Sequence, residues 1–221
     1  MTTDYELVVL DMAGTTVVDD GMVEGAFARA WDRVKDTEVG RQAALEHVRD
    51  TMGQSKIEVF RGIADEATAQ ALNVEFENSF RELIAEGRCT PIDGAETTIR
   101  ALRDSGLRIA FTTGFSRETA EAILAELGWN ALADVVLSPA DAGRGRPAPD
   151  LVLMAAIRGQ VSAMSRVVVV GDTESDAGSG RSAGAGLVVG VLSGGRPEES
   201  LLAAGADRVL ASVADLPALL G

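Results

Sequence analysis

Four short segments of this 221-residue chain carry side chains that could act together on a phosphoryl group. They are Asp11-Met12-Ala13-Gly14-Thr15-Thr16, Thr112-Thr113-Gly114, Gly143-Arg144-Gly145-Arg146-Pro147 and Gly171-Asp172-Thr173-Glu174-Ser175-Asp176. A carboxylate attacks phosphorus when the negative charge on the phosphoryl oxygens is offset, so Asp11 is the expected nucleophile, giving an aspartyl-phosphate that water hydrolyses. Two carboxylates held close, Asp11 and Asp172, repel each other and resist desolvation unless a cation lies between them. An oxygen-only donor set with few protein carboxylates suits Mg²⁺, which keeps part of its water and bridges to substrate phosphate. Arg146 would neutralise the phosphoryl group. Thr112, with the backbone N–H groups of the Thr113-Gly114 turn, would bind its oxygens. Any one of these residues alone reads as a helix cap or a turn; the chemistry lies in their combination and order.

The elements that must position them are short apolar runs at Leu7–Leu10, Arg108–Thr112, Val135–Leu137, Val167–Val170, Leu187–Val191 and Arg208–Ala211. Most are nearly continuous in Val, Ile and Leu, which marks strands buried on both faces of a parallel sheet. Helical patterns such as Ala95–Ser105 and Ser116–Leu127 separate them, and this alternation predicts an α/β fold with a doubly wound parallel sheet. In such a sheet ligands sit beyond the carboxyl ends of the strands, where each of the four segments begins, and the first and fourth strands are candidates for neighbours.

From Val18 to about Pro91 the alternation stops, and helices are expected at Met22–Val34, Arg41–Asp50, Lys56–Ile63 and Thr68–Ala85. The predicted organisation is a catalytic core of residues 1–17 and 92–221 with a helical cap of residues 18–91, placed where a lid belongs.

Twenty basic residues against 34 acidic ones give a net charge of −14, which disfavours nucleic acid and anionic membranes as partners. A single cysteine, no signal-peptide pattern and no apolar run long enough to span a bilayer predict a cytoplasmic protein, while the four segments predict a small organophosphorus substrate.

The order of the four segments, with the early helical insertion, resembles the haloacid dehalogenase superfamily along the whole chain. That resemblance implies a Rossmann-like core, Asp11 as nucleophile and Mg²⁺ held by Asp11, the Ala13 carbonyl and Asp172, with Asp176 acting through water or from behind the ligands. Phosphatases of the superfamily carry a second Asp, as general acid, at the position of Ala13. Asp11 to Val17 instead matches the D-x-A-G-T-T-V motif of the phosphonoacetaldehyde hydrolase (phosphonatase) family, and Met52-Gly53-Gln54-Ser55-Lys56 matches its M-G-x-x-K. Arg146 likewise stands where most of the superfamily has Lys. The family implies that Lys56 forms a Schiff base with a substrate aldehyde, and it suggests a homodimer through the caps.

The residues themselves support that role. Cleaving a C–P bond expels a carbanion, and an imine at Lys56 would take up its electrons as an enamine. Eighteen of the 20 basic residues are Arg, so Lys56 is one of only two lysines, the other being Lys35. Guanidinium is a poor imine-forming nucleophile. The sequence departs from the family at Val59, where a His is usual, and its own His47 is expected on a helix surface. The expected function is Mg²⁺-dependent hydrolysis of phosphonoacetaldehyde or a close carbonyl phosphonate. A phosphomonoesterase drawing its acid from the cap and a catalytically idle binding protein are the alternatives.

Overall fold

The computed structural model describes residues 4–34 and 40–221, so Lys35 lies outside the described residues. Six parallel strands, β1 (Leu7–Asp11), β2 (Arg108–Thr112), β3 (Val135–Leu137), β4 (Val167–Gly171), β5 (Leu187–Val191) and β6 (Arg208–Leu210), form one sheet. Their order is β3-β2-β1-β4-β5-β6, so the chain winds outward from β1 in both directions and leaves a crevice between β1 and β4.

Helices cover both faces: α5 (Ala95–Asp104), α6 (Arg117–Glu126), α7 (Asp150–Arg158), α8 (Glu174–Ala183), α9 (Glu198–Ala204) and α10 (Leu216–Leu220). Strand periodicity explains why β1 is apolar throughout: Val8 and Leu10 join one core with Ile99, Ile123 and Leu216, while Leu7 and Val9 join another with Leu151 and Ala155. Strand register then carries the chemistry to one edge, pairing Asp11 with Thr112 and Leu10 with Val170.

Between β1 and α5 run the first four helices of the described chain, lettered in order αA (Met22–Arg33), αB (Arg41–Asp50), αC (Lys56–Arg61) and αD (Glu66–Ala85). Asp65 starts αD by accepting from the Thr68 N–H at 2.9 Å. The inner faces of these helices bury Phe27, Phe60, Phe76 and Phe80, which join the same apolar cluster as Leu10, Met12 and Phe115. Each fully buried Phe is worth roughly 1.5–3 kcal/mol, so the seam between this segment and the sheet is apolar as well as polar.

Candidate active site

The carboxyl edge of β1 and β4 gathers the acidic side chains. One carboxylate oxygen each from Asp11, Asp172 and Asp176 lies within 4.8 Å of the other two, and all three residues are buried. The loops close around them because of glycine. A Cβ on Gly14 (φ 85°) or on Gly194 would overlap the Asp172 carboxylate, so only a bare backbone fits at either place. Thr15 Oγ1 donates to Asp172 Oδ1 at 2.7 Å, and Thr16 Oγ1 donates to the Asp11 carbonyl at 2.9 Å. Asp176 closes a capping box at the start of α8, where its Oδ2 accepts from the Thr173 N–H at 3.1 Å. Burial, reinforced by the Asp11 charge, pushes the Asp172 carboxyl up to about 7, against the opposing Thr15 hydrogen bond and Arg146 charge.

Arg146 enters from the loop after β3. Its Nη1 donates to Asp11 Oδ1 at 2.6 Å and also contacts Asp176 Oδ1. Its Nε is the one side-chain nitrogen or oxygen among the described residues that is itself sealed from solvent and has no hydrogen-bond partner. A buried, orphaned cationic donor beside the Asp11 carboxylate fits a phosphoryl oxygen. The donor set also fits a divalent cation, because three buried carboxylates are opposed by a single guanidinium and offer only oxygen ligands.

Lys56 arrives from the opposite side. The turn Met52–Lys56 presses onto the sheet edge at three glycines. Gly53 (φ 81°) sits against Thr173, Gly114 against the Gln54 carbonyl, and a Cβ on Gly145 would lie 2.8 Å from Ser55 Cβ. Lys56 N–H donates to the Gly114 carbonyl at 3.1 Å, and Ser175 Oγ donates to the Met52 carbonyl at 3.2 Å. Lys56 is 6% exposed, and its Nζ lies 5.3 Å from the Phe115 ring centroid and 5.9 Å from that of Phe76. Burial lowers the pKa of its amine; the Asp19 carboxylate opposes the shift and the Arg146 charge adds to it. Lys56, Asp11, Ala13, Arg146 and Asp172 line one cavity of about 20 Å³.

Not every expected contact is made as the sequence suggested. Thr112 and Thr113 are buried at the edge, but the Thr113 N–H donates to the Leu137 carbonyl at 3.2 Å and is therefore spent on the sheet. The Gly114 N–H makes no hydrogen bond among the described residues and is the backbone donor of that turn left for a ligand. His47 is half-buried rather than on the surface. Its Nε2 lies 3.1 Å from the Val59 carbonyl, in space that Gly62 leaves open. Val59 itself is packed in the apolar cluster.

The roles of three residues were not legible in the sequence. Thr15 and Gly194 act only through Asp172, which is remote in the chain. Glu77, buried on αD, accepts from Ser116 N–H at 2.9 Å and Ser116 Oγ at 2.8 Å. A lone Glu between Phe76 and Phe80 on the apolar face of αD was the available signal.

Residues 5–184 match the family model described as haloacid dehalogenase-like hydrolase. The chain belongs to this family of hydrolases. A phosphonoacetaldehyde hydrolase of Bacillus cereus (strain AH187) is 32% identical to this hydrolase over 206 residues, covering 86% of this chain and 76% of the relative. One from Bacillus mycoides (strain KBAB4) is 30% identical over 220 residues, covering 89% and 80%. Among solved structures, a phosphonoacetaldehyde hydrolase-like protein from Oleispira antarctica superposes with a TM-score of 0.82 at 24% identity, covering 99% of this hydrolase and 92% of that chain. A hydrolase from Pseudomonas syringae gives 0.83 at 24%, covering 96% of each chain.

Proposed function

We propose that this hydrolase cleaves the C–P bond of phosphonoacetaldehyde or a close carbonyl phosphonate. The observation that carries the reading is Lys56: a buried lysine, its amine shifted toward the neutral form, lining the same small cavity as Asp11 and Arg146. The phosphonoacetaldehyde hydrolases that share 30–33% identity with the chain point the same way.

In this reading the neutral Lys56 amine adds to the aldehyde carbon and loses water, leaving an imine whose nitrogen takes a proton. Asp11 then attacks phosphorus, the C–P bond breaks, and its electron pair enters the C–C–N system as an enamine. Protonation at carbon and hydrolysis release acetaldehyde and the free amine, while water cleaves the aspartyl-phosphate to inorganic phosphate. Arg146 and the Gly114 N–H hold the phosphoryl oxygens through the change of charge. Asp11, the Ala13 carbonyl and Asp172 would hold Mg²⁺, with Asp176 fixed behind them by Thr173. Bound there, the ion supplies positive charge to the phosphoryl oxygens. Residues 18–91 act as the cap that brings Lys56 to the core.

Borohydride added during turnover of phosphonoacetaldehyde should trap an adduct on Lys56, located by peptide mass. Lys56→Arg keeps the charge but forms no imine, so phosphate release should collapse; Asp11→Asn should lower turnover by several orders of magnitude. Undiminished C–P cleavage by Lys56→Arg, with no adduct in the unaltered protein, would sink the imine. A phosphomonoesterase is the second reading. Burial pushes the carboxyl of half-buried Asp19 upward, which favours an acid supplied from the cap.

A further inference from the structure

Two cavities meet at Lys56. The inner one, of about 20 Å³, holds Asp11, Arg146 and Asp172, and has room for little more than the transferred group. The outer one, of about 350 Å³, lies in the size range of small-molecule pockets. Lys56, Gly114 and Phe115 line both, so a substrate whose phosphoryl end meets Asp11 and whose carbonyl meets Lys56 points the rest of its chain into the outer space. A two-carbon aldehyde would leave most of that space unused.

The outer wall carries neutral polar groups that no other part of the described chain engages. Ser55 is the N-cap of αC and 4% exposed, yet its hydroxyl makes no capping bond and has no other hydrogen-bond partner among the described residues. A serine in that position ordinarily accepts from the first turn of its own helix, so this hydroxyl is left available to a ligand. The side-chain amide of half-buried Asn73 on αD is likewise without a partner among the described residues. The charged lining is already engaged or repels anions: Glu77 accepts from Ser116, and Arg117 is paired with Asp141. With Glu77, Glu118 and Asp141 around it, the cavity disfavours a second carboxylate or phosphate.

We propose that the cavity walled by Ser55 and Asn73 is a second substrate subsite, selecting carbonyl phosphonates that carry a neutral hydroxyl or amide beyond the carbonyl carbon. The inference rests on the reading in which Lys56 receives the carbonyl. A substrate with a hydroxyl or amide there pairs with the Ser55 hydroxyl and the Asn73 amide, whereas one lacking it leaves both to solvent and gains nothing from them.

The test compares kcat/KM for phosphonoacetaldehyde with that for a homologue bearing a hydroxylated two-carbon extension on its carbonyl carbon. The unaltered protein should favour the hydroxylated homologue by at least about tenfold, and Asn73→Leu or Ser55→Ala should each cut that ratio by roughly tenfold. Melting temperatures confirm that both variants are folded. A preference for the shorter substrate, or a ratio unmoved by both substitutions, overturns the subsite. If the unaltered protein releases phosphate from neither phosphonate, the C–P reading fails instead. The same ratio is then taken between ethyl phosphate and a hydroxylated butyl phosphate, where the absence of a hydroxyl preference overturns the subsite on its own.

Discussion

At the scale of single residues, the chemistry turns on how burial treats two opposite charges. The Asp172 carboxyl is driven up by burial and by the Asp11 charge, and the Lys56 amine is driven down by its apolar surroundings. Both shifts favour the neutral group, but they call for different remedies: a cation for the acid, and nothing for a lysine that must be neutral to attack a carbonyl. Lowering the lysine pKa enlarges the neutral fraction at any pH below 10.5. The rate of borohydride trapping at Lys56 should therefore rise with pH and level off below that value. The linked stability has a definite sign. Between the folded and unfolded pKa of Lys56 the unfolded chain binds more protons, so stability rises with pH across that window. Lys56→Met should remove that contribution, which thermal melts at several pH values would reveal. An unchanged slope together with trapping that levels off only above pH 10.5 would show an ordinary exposed amine.

At the scale of elements, the site depends on how αC and αD meet the sheet. Glu77 grips the N-cap of α6 through both the backbone and the hydroxyl of Ser116, next to Phe80 and Phe115, whose ring centroids are 4.4 Å apart. Hydrogen bonds to a buried carboxylate are worth about 1.5–3 kcal/mol, so Glu77→Ala should cost roughly that in a urea titration. Because the same contact seats αD over Lys56, kcat/KM should fall well below what the stability loss alone accounts for. Ser116→Ala should show a milder version, and the double variant should be less than additive. Full additivity would mean that the two side chains do not act as a pair. Arg29 and Arg33, by contrast, pair with Glu75, Glu82 and Glu86 in the open, and such exposed pairs contribute little.

At the scale of the whole molecule, the proposed substrate is an anion while the chain itself is acidic. The net charge of −14 makes the local supply of positive charge at the sheet edge decisive. If Mg²⁺ binds between Asp11 and Asp172, it binds the folded state alone and should raise the melting temperature in a concentration-dependent way. At a hundredfold excess over Kd the stabilisation would be about 2.7 kcal/mol. Asp172→Asn should abolish that shift, and EDTA should remove both the shift and phosphate release. A melting temperature indifferent to Mg²⁺ would place the cation elsewhere. Among the described residues no helix is long and apolar enough to cross a membrane.

Local pattern was enough for the sheet, because short continuous Val, Ile and Leu runs such as Val167–Val170, bounded by turn residues, mark strands covered on both faces. It also determined which residues end those strands, and hence that Asp11, Thr112 and Asp172 share one edge. These are local properties, written in periods of a few residues. Contacts between distant segments exist only in the folded chain: Gly194 and Thr15 shaping the seat of Asp172, the Met52–Lys56 turn lying on Gly114 and Gly145, Glu77 reaching Ser116, and the Thr113 N–H committed to Leu137. Each depends on two pieces of chain meeting at van der Waals distance, and neither piece alone differs from an ordinary turn or helix. Ser55 is the sharpest example: in sequence it is one more N-cap serine, and only the folded chain shows it uncapped and lining a cavity.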